Sequence, residues 1–173
     1  IEMEGTYPLP EAQLDRFLLK VQVTLPNHTE LAEILNRTTG VTPPEAAKVI
    51  QSDEAEGYRT FIREIVAAPN IQEYAVRLVL ATHPQNDLAP ATIKKYVRYG
   101  SSPRGAQALL TAGKVCAAMD GRLHVGFEDV RRVIHAALRH RILLNFEGEA
   151  ERVATDSLIA TLLEQVPEMA LAR

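Results

Sequence analysis

Two arginines lie where a guanidinium group could stabilise an anion, and the first of them is Arg104. It follows Ser102 and Pro103 at the predicted start of a long helix. Serine is a frequent N-cap, and proline suits the first helical position because it has no N–H to leave unbonded. The partial positive charge of a helix N-terminus disfavours a cation by about 0.3–1 kcal/mol. A first turn that keeps Arg104 is therefore suited to phosphate, with Ser102 and free first-turn amides as further contacts.

The second arginine, Arg16, lies near the start of the chain in the run GTYPLPEAQLDRF, residues 5–17. Phosphoryl transfer develops negative charge that a guanidinium group stabilises, and such an arginine contributes about 10³-fold or more in rate. The structural alternative for Arg16 is a surface salt bridge with Asp15 or Glu11. For Arg104 the alternative is an ordinary Ser-Pro helix start with an exposed arginine.

Composition places the chain among globular proteins. Its 173 residues are 46% apolar and 24% charged, enough for one sizeable core or a small domain with an appendage. No stretch approaches the roughly 20 apolar residues of a membrane span, and no leader peptide is evident. Cys116 has no cysteine partner, which favours a reducing compartment, so we expect a cytoplasmic protein. Its place on an apolar stripe predicts a small buried filler.

Hydrophobic periodicity predicts one strand followed by helices. Residues 17–23 alternate apolar and polar side chains with period two, but no other segment offers this strand a pairing partner. Asn27 and Glu30 form a capping-box signature, and Thr42 with Pro43 predicts another helix start near Glu45. The remaining helical stripes, with caps predicted at Asn70 (with Glu73), Ser102 and Thr155, span residues 58–66, 71–79, 106–117, 130–138 and 158–163.

Several other motifs are excluded on spacing. Gly100 and Gly105 have P-loop spacing, but Ala106-Gln107 stands where Lys-Ser or Lys-Thr is required. No Walker A or Walker B segment is present. The five histidines show no metal-site spacing, since His135 and His140 point to different helix faces, and we expect surface histidines and no metal.

Four stretches resemble the C-terminal half of MoxR-type AAA+ ATPases: residues 5–17, ATHP at 81–84, SPRG at 102–105 and RHRILLNF at 139–146. The resemblance implies a mainly α fold, in which residues 1–27 are a remnant of the α/β ATPase core with its last strand. Residues 28–173 would be the helical lid with a C-terminal helix. It further implies that Arg16 is an arginine finger acting in trans, and that Arg104 with Ser102 is the sensor-2 contact to nucleotide, in cis or in trans.

The same resemblance implies ATP and Mg in the intact protein and a homo-oligomeric ring, with a hexamer as the expected form. It also implies a chaperone-like role with von Willebrand A-domain partners. The chain opens on Ile1 and lacks Walker A and B, so we expect a fragment of an ATP hydrolase that is inactive alone and binds no nucleotide tightly.

The rival interpretation is a helical nucleic-acid-binding module. Residues 91–141, the basic block, contain ten Lys or Arg against three acids. Recognition helices normally expose several basic or amide side chains on one face, and adjacent Arg131 and Arg132 do not form such a face. We therefore do not expect nucleic acid as a partner. A plain interaction scaffold is a third possibility, for which substitution of Arg104 would be harmless.

Overall fold

The computed structural model describes residues 9–41 and 45–169. The described helices are α1 (Glu11–Leu14), α2 (His28–Thr38), α3 (Ser52–Glu64), α4 (Pro69–Ala81), α5 (Ala91–Tyr96), α6 (Pro103–Met119), α7 (Phe127–Leu138), α8 (Phe146–Ala150) and α9 (Thr155–Gln165). Two short strands are β1 (Val97–Tyr99) and β2 (Leu143–Leu144). The predicted mainly α class is confirmed.

The core is a helical bundle centred on α6. This helix packs against α7, α4 and α3, while α9 contacts α4, α5 and α7. Leu78, Leu109, Ile134 and Leu162 have no exposed surface. Burying one such side chain contributes about 1.5–3 kcal/mol, so these four helices hold one another in place. The predicted stripes of α4 and α7 are confirmed, because their apolar residues are the ones that line this core.

A short antiparallel ladder, which the sequence did not indicate, joins two distant connections of the bundle. In it β1 pairs with β2, and Val97 lies opposite Leu144. Asn145 follows β2, donates its backbone N–H to Tyr96 at 2.9 Å and caps α8 by accepting from the Gly148 N–H. Strands of two or three residues are too short for period-two alternation to reveal.

The strand predicted over residues 17–23 is not formed. Residues 19–27 carry no regular secondary structure, and no described strand pairs with them. The physical reason is the missing partner, since a strand needs a neighbour to satisfy its backbone groups. The segment instead lies against the end of α7, where Lys20 donates its N–H to the Ala136 carbonyl at 2.8 Å. The domain boundary at residue 27 stays a prediction.

The structure confirms one predicted helix start in the N-terminal part of the chain and contradicts another. The capping box of α2 is confirmed, because Asn27 and Glu30 exchange backbone-to-side-chain bonds of 2.8 and 3.0 Å. Thr42 and Pro43 lie outside the described residues, but residues 45–50 are not helical, so a helix from Glu45 is wrong. Val49 is 92% exposed. Short helices without a packing surface are marginal, and α3 begins only at the next capping pair, Gln51 and Glu54.

Two further caps are displaced by one or two residues. The α4 helix begins at Pro69 with Ala68 as its N-cap, so the predicted Asn70 cap is wrong. Proline has the backbone angle of the first helical position and starts the helix early, while Glu73 pairs with Arg77 at 2.8 Å. Thr155 is the first residue of α9 and not its cap.

Candidate functional site

The predicted site residue Arg16 lies in the turn that follows α1. Its side chain is exposed, and within residues 9–41 and 45–169 it forms no ion pair, so the alternative salt bridge with Asp15 or Glu11 is not seen there. The first four residues of the run 5–17 lie outside the described residues. Arg16 lines an open cavity of about 410 Å³, here called the arginine cavity. Its lining residues are Asp15, Arg16, Leu18, Arg104, Gln107, Ala108, Thr111 and Arg141.

The predicted site residue Arg104 lies in the first turn of α6 and lines the same cavity. Its side chain is 45% exposed, and one guanidinium nitrogen is 3.8 Å from Asp15 Oδ2. The structure therefore brings Arg16 and Arg104 to one cavity although the two residues are far apart in the sequence. The negative charge of Asp15 offsets the electrostatic repulsion between the guanidinium groups that line the cavity.

Ser102 caps α6 as predicted, accepting the Arg104 N–H at 3.2 Å. Its hydroxyl donates to the Asp15 carboxylate at 2.8–2.9 Å. The Gly105 N–H is also bonded, to the Ser102 carbonyl at 2.9 Å. The Arg104 and Gly105 amides are thus bonded within the chain, so the arginine side chains are the main donors left for an anion at this helix end. The nucleotide contact predicted for Ser102 stays a prediction.

Two polar residues at the end of α4, Thr82 and His83, hold the start of α6 in place. The buried Thr82 hydroxyl accepts the Ser101 N–H at 2.8 Å and donates to the Val79 carbonyl at 2.6 Å. His83 Nε2 contacts the Ser101 carbonyl at 3.0 Å. A side chain at Gly100 would collide with Thr82, so glycine there permits the close approach. The stretch ATHP therefore positions the turn that carries Arg104.

Sequence reasoning missed Arg141, whose side chain is only 2% exposed. Its Nε donates to Asp15 Oδ1 at 3.2 Å, and its terminal nitrogens donate to the carbonyls of Asp15, Phe17, Leu18 and Ala137. Burial lowers the pKa of Arg141, and the Asp15 charge opposes that shift. The one available signal was its place in the run RHRILLNF. Arg141 ties the turn of Arg16 to the end of α7.

The two residues before Arg141 bind the same segment. Arg139 donates to the Lys20 carbonyl at 3.0 Å and pairs with Asp156. His140 is buried, so its prediction as a surface histidine is wrong, and its Nε2 contacts the Phe17 carbonyl at 3.0 Å. Because a carbonyl only accepts, Nε2 carries the proton. Burial lowers the pKa of His140, so the ring is neutral at neutral pH.

Comparison with known proteins agrees with this arrangement. Residues 90–162 match the family model of the AAA lid domain. Chaperone MoxR1 of Mycobacterium tuberculosis is 36% identical over 166 residues, which cover 96% of this chain and 44% of that protein. Protein MoxR of Methylorubrum extorquens is 28% identical over 180 residues, covering 96% of this chain and 52% of that protein. A crystal structure of a candidate ATPase from Cytophaga hutchinsonii matches with a TM-score of 0.90 at 32% identity, covering 99% of this chain and 52% of that one.

This chain belongs to the MoxR family of AAA+ ATPases. It corresponds to the C-terminal portion and contains the lid region. The chain spans about half the length of the curated relatives it matches. The resemblance stated from the four sequence stretches is thereby confirmed.

In this MoxR-family chain the basic block is not a free positive surface. Most of its cations have an acidic partner within 4 Å. These pairs are Lys95 with Glu147 and Glu151, Arg104 and Arg141 with Asp15, Arg122 with Asp120, Glu128 and Asp129, Arg131 with Glu168, Arg132 with Asp120, and Arg139 with Asp156. Nucleic-acid binding requires cations that are free to neutralise phosphates, so these ion pairs disfavour the rival interpretation as a nucleic-acid-binding module.

The described part of this MoxR-family chain gives little support for a metal site or a reactive cysteine. Within it, no group of three or more His, Cys, Asp or Glu side chains is placed to hold a metal ion. Cys116 is buried on α6 as predicted, and burial raises the pKa of its thiol, which opposes thiolate formation. None of the described helices combines the length and the apolar character needed to cross a membrane.

Proposed function

We propose that this chain supplies Arg16 and Arg104 to the γ-phosphate of ATP in an intact MoxR-type ATPase, and that hydrolysis drives chaperone-like maturation of partner proteins. The observation that carries the proposal is the arginine cavity, an open space lined by two exposed guanidinium groups from distant parts of the sequence. Neither arginine is a nucleophile or a base. Both act by stabilising negative charge that develops as the phosphoryl group is transferred.

The residues of the arginine cavity fit a phosphate chain. Two partly exposed guanidinium groups offer planar donors suited to phosphate oxygens, and Gln107 and Thr111 add neutral polar groups along α6. Magnesium finds no ligand set there, because the Asp15 carboxylate is shared by Ser102, Arg104 and Arg141. When bound, Mg-ATP supplies the transferable phosphoryl group. The proposal assigns only phosphate contacts to this chain.

A shared cavity also bears on the direction in which the two arginines act. Because Arg16 and Arg104 line the same cavity within one chain, we propose that both contact the phosphates of the same nucleotide. If Arg16 reaches the nucleotide of a neighbouring subunit, Arg104 then reaches that same nucleotide in trans. This arrangement requires a homo-oligomeric ring, for which we propose a hexamer by family resemblance.

The partners rest on family resemblance and on names. One relative bears the name chaperone, and it is 36% identical to this chain. We propose von Willebrand A-domain proteins as partners and the cytoplasm as the compartment. The isolated chain is expected to hydrolyse no ATP, because its sequence carries neither Walker A nor Walker B.

Steady-state kinetics of the intact protein test the two arginines. We expect Arg16→Ala to lower kcat by about 10³-fold and to leave the Kd for ATP within a few-fold, because the lost contact acts on the transition state. Arg104→Ala is expected to lower kcat by at least 10-fold. Arg59→Ala on α3 is the matched control, since its 77% exposed side chain lies outside the cavity. Unchanged turnover in Arg16→Ala contradicts the proposal.

Mixing the two variants tests the shared direction. If one subunit presents both arginines to one nucleotide, every site in a mixed ring of Arg16→Ala and Arg104→Ala subunits lacks one arginine. Turnover then stays at the level of the variants alone. If Arg104 instead acts in cis and Arg16 in trans, an Arg16→Ala subunit beside an Arg104→Ala subunit forms a complete site, and mixing restores turnover.

A further inference from the structure

The buried Arg141 side chain differs from a surface arginine because protein oxygen atoms, and not water, accept hydrogen bonds from its guanidinium group. A guanidinium group carries five N–H donors in a planar fork, and Arg141 makes five hydrogen bonds to oxygen. Four of these bonds go to the turn that contains Arg16, and one goes to Ala137 on α7. Taking a charge out of water costs several kcal/mol unless such bonds replace its hydration. The arrangement therefore commits a buried cation to one short turn.

The bonds of Arg141 bracket Arg16 on both sides. One terminal nitrogen donates to the carbonyl of Asp15 at 3.0 Å and to that of Phe17 at 2.6 Å. The other donates to the Leu18 carbonyl at 3.2 Å. Holding the carbonyls before and after a residue limits its backbone angles, and these angles set the direction of its side chain. The exposed Arg16 guanidinium has no other anchor among the described residues.

The Asp15 carboxylate extends this framework to the second arginine. It accepts from Arg141 Nε at 3.2 Å and from the hydroxyl of Ser102, the residue that caps α6. Arg104 in that first turn lies 3.8 Å from the same carboxylate. The end of α7, the turn of Arg16 and the start of α6 are thus joined through the ion pair of buried Arg141 with half-buried Asp15.

We infer that Arg141 is a positioning residue, which aims Arg16 into the arginine cavity by fixing the backbone carbonyls on either side of it. The inference rests on the proposed function of Arg16. Arg141 itself touches no substrate in this role. Its hydrogen bonds reach the turn of Arg16 directly and do not reach the start of α6, so we expect its effect on turnover to act through Arg16 and to disappear when Arg16 is absent.

A double-mutant cycle in the intact protein tests the inference. Arg141→Lys keeps the buried positive charge but cannot bridge several carbonyls with a planar fork. We expect kcat to fall by about 10- to 100-fold, as displacements of about 1 Å do, while the Kd for ATP changes by less than about 3-fold. In the Arg16→Ala background the same substitution is expected to change kcat by less than about 2-fold. Arg139→Lys, two residues earlier in the chain but bonded to Lys20 and Asp156, is the matched control and is expected to keep kcat within about 2-fold.

The outcomes separate the two proposals. If Arg16→Ala lowers kcat while Arg141→Lys leaves it unchanged, or acts equally strongly with and without Arg16, the positioning role is overturned and the function of Arg16 stands. If Arg16→Ala has no effect, both proposals fail. Thermal melting of each variant is measured first. Should Arg141→Lys not fold, Arg141→Gln takes its place under the same criteria, and failure of both to fold assigns Arg141 a purely structural role and overturns the inference.

Discussion

The N-terminal arm, residues 9–41 and 45–64, and the bundle, residues 65–169, differ in how far their helices are buried, although α3 of the arm also contacts α6. In the arm, α1, α2 and α3 bury no residue, and apolar side chains such as Leu35 and Tyr58 are more than half exposed. In the bundle, every helix from α4 to α9 buries at least one residue. A capping box at Asn27 starts α2, and the Glu54 carboxylate accepts the Gln51 N–H at the start of α3, whereas packing holds the helices of the bundle.

The contrast shows why the candidate site lies at the junction of the two regions. The arm meets the end of α7 chiefly through polar contacts of residues 15–20 with Arg139, His140 and Arg141. Hydrogen bonds fix direction more narrowly than apolar burial does, because they depend on distance and angle. A junction made of them can hold Arg16 in one orientation without a core of its own.

The largest expected effect comes from truncating a core side chain of the bundle. Leu109→Ala on α6 removes a fully buried side chain, and we expect the free energy of unfolding of this chain to fall by about 3 kcal/mol. Leu35→Ala on α2 removes a side chain that is 52% exposed and is expected to change it by less than about 0.5 kcal/mol. Urea unfolding followed by circular dichroism measures both. Equal losses contradict the division into arm and bundle.

An intermediate effect is expected at Asp129, the buried carboxylate at the start of α7. Burial raises its pKa, but the two hydrogen bonds from Arg122 and one from the Gly126 N–H outweigh burial and lower it overall. Asp129→Ala is expected to lower the free energy of unfolding by about 2 kcal/mol at pH 7, because Arg122 and Gly126 lose their acceptor. Glu128→Ala, at a 70% exposed neighbour, is the control with an expected change below about 0.5 kcal/mol.

The pH dependence of that difference has a defined sign. Since folding lowers the pKa of Asp129, its contribution is complete above the unfolded value of about 3.9 and is lost as the pH falls through the folded value. Unfolding curves of the wild-type chain and Asp129→Ala are therefore expected to converge in acid. A difference that stays constant from pH 7 to pH 3 assigns the loss to packing and not to the ionised carboxylate.

The smallest expected effect is confined to the arm. Asn27→Ala removes the side-chain acceptor for the Glu30 N–H and is expected to weaken α2 locally by about 1 kcal/mol. Amide hydrogen exchange in α2 measures this loss, and the global unfolding midpoint is expected to stay the same. Asn36→Ala, within the same helix but away from its start, is the control. A shift of the global midpoint in Asn27→Ala shows that α2 unfolds together with the bundle.

The sequence predicted those parts of the fold that depend on local order. Apolar stripes located α4 and α7, and the Asn27 and Ser102 caps were recognised because each bonds a residue two or three positions away. The helix near Glu45 and the Asn70 cap were wrong, since local signals for a helix start recur wherever Thr, Asn or Pro precedes Glu. Packing selects among these competing starts, and packing is not visible in a window of a few residues.

The candidate site divides in the same way. Arg16 and Arg104 were chosen from the sequence because their types and settings suit an anion, and the family resemblance named roles for them. Their meeting in one cavity was not predictable from spacing, and Arg141 was not singled out, because its partners Asp15 and Phe17 lie more than a hundred positions away. A buried arginine and an exposed one look alike in a sequence.

By itself, the sequence determined the helical class, the family and two arginines suited to phosphate, because periodicity, capping and motif wording are properties of neighbouring residues. Only the tertiary structure decided that residues 17–23 form no strand, that His140 is buried, and that Arg141 holds the turn of Arg16 against α7. Those facts depend on which distant backbone groups find partners, and a hydrogen bond between far-apart residues exists only once the chain has folded around it.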